Sequence, residues 1–88
     1  MWIKCRSLEG GAGPSEAIVA ITRADGREEQ VIVYSGSVRN GEVEVSVPLS
    51  RDLQNNRVLI ELPRESCSGS WRIWIPASAV PKHQGIGQ

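Results

Sequence analysis

Eighty-eight residues, with ten basic and ten acidic side chains and a formal net charge of zero, leave room for a single domain. That balance argues against a nucleic-acid binder working through a broad basic field, and against a polybasic membrane anchor. With no signal peptide and no apolar run near the ~18 residues of a membrane span, the chain is expected to be cytoplasmic and to have no membrane partner.

Helix signals are almost absent, and strand signals recur between clusters of Gly, Pro, Asn, Asp and Ser. Residues 2–8 (WIKCRSL) read as a first strand, and 9–16 (EGGAGPSE) as a loop. Residues 17–23 and 28–34 flank Ala24-Asp25-Gly26-Arg27, a hairpin signal. Either a type I′ turn or a type I turn with a glycine bulge fits there, and the two give different registers. Residues 35–41 (SGSVRNG) read as a connection. In 41–47 (GEVEVSV), Val43, Val45 and Val47 are expected inward and Glu42, Glu44 and Ser46 outward. Pro48 ends that strand, and Ser50–Gln54 fits one helical or 3₁₀ turn with Ser50 as its N-cap, closed by Asn55-Asn56.

Residues 57–62 (RVLIEL) and 71–75 (WRIWI) form the last predicted hairpin. Pairing Leu62 with Trp71, Ile60 with Ile73 and Val58 with Ile75 puts every apolar partner on one inward face. The same register sets Glu61 opposite Arg72 and Leu59 opposite Trp74, each pair contributing about 0.2–1 kcal/mol. A one-residue slip would turn the apolar set outward. The domain is expected to span residues 1–80, followed by a frayed tail at 81–88.

Five or six short antiparallel strands in so few residues are expected to manage their edges by closing into a partly open barrel. The stretch Trp74-Ile75-Pro76-Ala77-Ser78-Ala79-Val80 resembles the end of SH3 domains, where a strand passes through an aromatic-aliphatic-Pro step into a 3₁₀ turn. The resemblance implies an all-β, SH3-like barrel. It does not extend to proline-peptide recognition, because Ala79 replaces the ligand-binding tyrosine, Ile73 replaces a glycine, and no ALYDY-like segment appears near Ile3.

No catalytic constellation, metal site or cofactor motif emerges. The single histidine, His83, falls in the tail, where nothing positions it. The glycine-rich run 9–14 lacks the lysine and the following helix of a phosphate loop. Cys67 has no histidine nearby in sequence and reads as part of an exposed polar loop. Cys5 reads as a small strand thiol, and a Cys5–Cys67 bridge stays open. Asp25 and Asp52 fit turn or capping positions, while Glu28 and Glu29 alternate to opposite faces.

The tryptophans give the best lead. Trp71 fits the core, whereas Trp2 and Trp74 alternate onto faces shared with charged residues. Trp74, Leu59, Arg72 and Glu61, joined by Trp2, are therefore the candidate binding residues. They suit a non-enzymatic module that docks a protein partner or a second copy of itself. The alternative has the same face covered within the monomer, by the barrel's two sheets or by the loops 9–16 and 64–70. Two rival functions stay open. One is a nucleic-acid-binding small barrel, with Lys4, Arg57 and Arg72 gathered around Trp2 and Trp74 as a stacking platform. The other is a small enzyme whose site forms at an oligomer interface.

Overall fold

Short β-branched runs broken by turn formers fold into nine strands, all antiparallel, in the computed structural model, which describes residues 1–8 and 13–81. The tail beyond Pro81, including His83, and the glycine-rich residues 9–12 lie outside the described residues. The strands form three three-stranded sheets. One holds β1 (Trp2–Lys4), β6 (Glu42–Glu44) and β5 (Val38–Arg39). The second holds β2 (Arg6–Leu8), β3 (Glu16–Thr22) and β4 (Glu28–Tyr34). The third holds β7 (Ser50–Asp52), β8 (Arg57–Glu61) and β9 (Arg72–Pro76). The all-β class stands. Of the expected partly open SH3-like barrel, the described residues show three small antiparallel sheets and no closed barrel, packed together through their inner faces.

Those inner faces build one core. Ile3 and Val43 come from the first sheet, with Val45 just beyond β6. Val19, Ile21, Val31 and Val33 come from the second sheet, and Val58, Ile60, Ile73 and Ile75 from the third. Leu62 extends β8 into the same cluster. Burying a side chain of this kind is worth about 1.5–3 kcal/mol.

The β8–β9 hairpin takes the register read from charge and volume. Val58 pairs with Ile75, Leu59 with Trp74, Ile60 with Ile73 and Glu61 with Arg72, and the Leu62 N–H donates to the Trp71 carbonyl at 2.8 Å. Trp71 corrects the expectation of a core ring, because it is 52% exposed. Its residue precedes the first strand residue, Arg72, so two-residue alternation no longer governs where its side chain points. Glu61 and Arg72 face each other without forming an ion pair.

Several local readings change. The first predicted strand breaks at Cys5 into β1 and β2, which belong to different sheets. The Cys5 N–H there donates to Gly41 at 2.8 Å. The 35–41 connection holds a 3₁₀ turn (Ser35–Ser37) and β5. Asn40 and Gly41, at φ 40° and 79°, link Arg39 to its partner Glu42 as a two-residue hairpin turn with both φ values positive.

Val47 is 71% exposed, since β6 ends at Glu44 and the chain runs irregularly into Pro48. Ser50 begins a strand rather than capping a helical turn, because β8 offers it a ladder partner in Leu59. The turn proper lies at 53–56, with Asn56 at φ 52°. Asp52 Oδ1 accepts from the Asn55 N–H there.

At the β3–β4 hairpin, Gly26 lies at φ 89° and its N–H donates to Arg23, while the Arg23 N–H donates to Arg27. That is the glycine-bulge alternative, which leaves Thr22 paired with Glu28.

Candidate functional site

The outward face of the β7–β8–β9 sheet carries Leu59 beside Trp74 and Glu61 beside Arg72, as direct cross-strand neighbours. Leu59, Glu61 and Trp74 are half-buried, and Arg72 is exposed. The structure thus brings four of the five sequence-nominated residues onto one sheet face. Trp2 belongs to the β1–β6–β5 sheet, paired with Glu44.

Neither outward indole is bare. The Arg57 guanidinium lies over the Trp74 ring, 4.3 Å from its centroid. Arg39 covers Trp2 in the same manner at 3.9 Å. Such stacking contributes about 0.5–1 kcal/mol at exposed sites. Arg57 is held from the other side by Asp52, with Nε to Oδ2 at 2.9 Å. Hydrogen bonds from Asn55 and Arg57, together with the Arg57 charge, hold the Asp52 carboxyl below the usual carboxylate range.

The β3–β4 turn reaches this sheet as well. The Ala24 N–H donates to the Trp74 carbonyl at 2.8 Å, which docks the turn on the free edge of β9. Between them lies a cavity of about 170 Å³, lined by Arg23, Arg57 and Arg72 with Asp25, Ser70 and Trp74. Arg23 is fixed there by two carboxylates, Nη2 to Asp25 at 3.0 Å and Nη1 to Glu29 at 2.9 Å. Arg72 makes no ion pair among the described residues. Lys4, expected with Arg57 and Arg72, instead borders a separate, larger groove of about 390 Å³ with Cys5 and Arg6. Burial, and secondarily the nearby Glu42 carboxylate, push the Cys5 thiol pKa up. Cys5 and Cys67 are both free.

Glu29 is the residue that sequence reading undervalued. It is 4% exposed and lies on the core-facing side of β4, in line with Val31 and Val33. Its Oε1 accepts from the Ser68 hydroxyl at 2.6 Å, and the Ser66 and Ser68 hydroxyls are 3.1 Å apart. Burial alone would raise its pKa. Hydrogen bonding from Ser68, Ser66 and Arg23, with the Arg23 charge, outweighs burial and holds the carboxyl below its ordinary range.

The 66–70 loop is exposed at Cys67, Ser68 and Gly69, as expected, but is anchored at its start. Ser66 is buried, and the Cys67 N–H donates to Gln30 at 2.8 Å. Two-residue alternation through Glu29, Val31 and Val33 is the sequence signal that marks this buried carboxylate. Nothing local marks Arg23 as a neighbour of Trp74, because that contact is made between a turn and a distant strand.

Among the described residues, no three of His, Cys, Asp or Glu converge as metal ligands, and no helix is long and apolar enough to cross a membrane. No protein-family model, curated protein or solved structure matches this chain.

Proposed function

We propose that this chain is a non-enzymatic binding module whose docking surface is the outer face of the β7–β8–β9 sheet, taking a protein partner or a second copy of the chain. The observation that carries this reading is the Leu59–Trp74 pair on an outward sheet face, flanked by Arg57, Arg72 and Glu61. Other exposed apolar side chains border the same sheet: Leu49 and Leu53 around β7, and Trp71 just before β9. Leu49, through its N–H to Leu59, stands nearest the Leu59–Trp74 pair, and an exposed apolar cluster on a small domain marks an interaction surface more often than single side chains do. Strand β7 is also an edge, with main-chain groups on its outer side that suit strand addition by a partner.

The step from Trp74-Ile75-Pro76 into a 3₁₀ turn at Ala77–Ala79 supports an SH3-like plan for the scaffold. Binding is favoured over acid–base catalysis because the cavity beside this face is lined by three guanidiniums, which hold their protons throughout the physiological range.

Size-exclusion chromatography with light scattering on wild type, Trp74→Ala and Trp2→Ala tests the reading. For self-assembly, wild type runs above its 9.6 kDa monomer mass and Trp74→Ala returns to it, while Trp2→Ala does not. A strictly monomeric wild type removes the self-assembly form. The heterologous form then requires a partner that wild type and Trp2→Ala retain and Trp74→Ala loses.

A further inference from the structure

We propose that the cavity between the β3–β4 turn and β9 is a carboxylate pocket that receives an aspartate or glutamate side chain of a protein partner. For its partner class it rests on the docking surface proposed above. Three guanidiniums line the cavity with the Ser70 residue and the edge of the Trp74 site. Arg23 and Arg57 are pre-positioned, Arg23 by Asp25 and Glu29 and Arg57 by Asp52. Each of them still has N–H donors left over, because a guanidinium carries five. Arg72 has no ion-pair partner among the described residues, so its full donor set is available to an incoming anion. Arginine forks match carboxylate geometry with two parallel hydrogen bonds.

Size and charge choose between anions. A cavity of about 170 Å³ is well below the ~300–1,000 Å³ of pockets that enclose a whole small molecule, yet it admits one acidic side chain. A nucleotide would need an open aromatic face for its base, and Arg57 occupies one face of Trp74, the indole that lines the cavity. Asp25, Glu29 and Asp52 stand beside the arginines and balance their three charges, which disfavours a run of phosphates, whereas a single carboxylate is held by the unused donor fork of Arg72.

The experiment is a ¹H–¹⁵N NMR titration of the whole chain, following the Trp74 indole N–H and the Ala24 and Asp25 amides. The probes are an acetyl-Gly-Glu-Gly-amide peptide, its Gln counterpart, inorganic phosphate and a short oligothymidylate. The expected result is a saturable shift of those signals with the Glu peptide, in the millimolar range for so small a probe, and none with the Gln peptide. Arg72→Gln should weaken that binding about tenfold or more while leaving the rest of the spectrum in place. Equal shifts from the Gln peptide, or none at Trp74 from the Glu peptide, overturn the pocket. So does phosphate or oligothymidylate binding at these signals in preference to the Glu peptide, the latter steeply weakened by salt. Loss of association in Trp74→Ala without Glu-peptide binding removes the pocket and keeps the docking surface. Glu-peptide binding with no Trp74-dependent association keeps the pocket and removes the docking surface.

Discussion

Trp2 and Trp74 each lie beneath an arginine, Arg39 over the first and Arg57 over the second, and each arginine also reaches a carboxylate, Glu42 or Asp52. The two stacks differ in what surrounds them. Arg39 and Glu42 flank the two-residue turn at Asn40-Gly41, so that stack is closed by its own hairpin. Arg57 and Trp74 stand at the meeting of β8, β9 and a turn from another sheet, where Arg23 and Arg72 join them around a cavity. A stacked indole and guanidinium are a stabilising device that any sheet can carry. The same pair becomes a candidate site only where segments far apart in sequence converge on it.

The largest effects test whether both stacks stand on common ground. Ile3 lies in the strand that bears Trp2, and Ile60 is paired beside Trp74; both are fully buried in one core. Ile3→Ala and Ile60→Ala should each cost about 2–5 kcal/mol in urea unfolding. A cost below about 1 kcal/mol at Ile3 alone would mean that the Trp2 sheet does not share the core of the Trp74 sheet.

Glu29, the buried carboxylate among the described residues, anchors Arg23 on the Trp74 side. Glu29→Gln should cost about 1–3 kcal/mol at pH 7, because a buried ion pair and its hydroxyl partners lose their acceptor charge. The folded-state pKa of Glu29 is lowered, so its contribution is fully present above the unfolded value. It is lost as pH falls through the folded value. Wild type should therefore lose stability on acidification from pH 5 downward, and Glu29→Gln should lose measurably less. Parallel pH profiles would show that the buried carboxylate is not responsible.

The hairpin glycines sharpen the contrast. Gly26 at φ 89° shapes the turn that docks on β9, and Gly41 at φ 79° shapes the turn beside Trp2. Alanine at either should cost about 1–2 kcal/mol, the penalty of a left-handed backbone for a residue with a Cβ. Only Gly26→Ala should shift the Trp74 indole N–H in NMR, since only that turn donates to the Trp74 carbonyl. The smallest effects come from the cations themselves. Arg39→Ala and Arg57→Ala should each lower stability by about 0.5–1 kcal/mol, and Arg57→Ala alone should alter association. Equal association by both variants would erase the distinction between the two stacks.

Periodicity made much of the third sheet legible. Val58, Ile60 and Leu62 alternate with Leu59 and Glu61, and only one pairing with residues 71–75 keeps like with like. It therefore also placed Trp74, Leu59, Glu61 and Arg72 together on one face. The same rule failed at Trp71 and Val47, where a ladder had ended and nothing forced the side chain inward. Alternation separates Glu29 from Glu28 and puts it in line with Val31 and Val33, but its partners Arg23, Ser66 and Ser68 come from elsewhere in the fold. The Asn40-Gly41 dipeptide carries a two-residue hairpin signal inside the segment 35–41 that reads as a connection.

By itself, then, the sequence determined an all-β chain, the inward and outward sets of residues 58–62 and 72–75 in its last hairpin, and the place of the tight turn at Gly26. Each of these follows from local backbone preference or from alternation between neighbours a few residues apart. Tertiary structure alone decided that Trp2–Leu8 divides between two sheets at Cys5, that the ladders stop at three sheets, and that Arg23 meets Arg57 and Arg72 beside Trp74. Those outcomes depend on which distant surfaces bury one another, a choice made by packing across the whole core, and no stretch of residues encodes it alone.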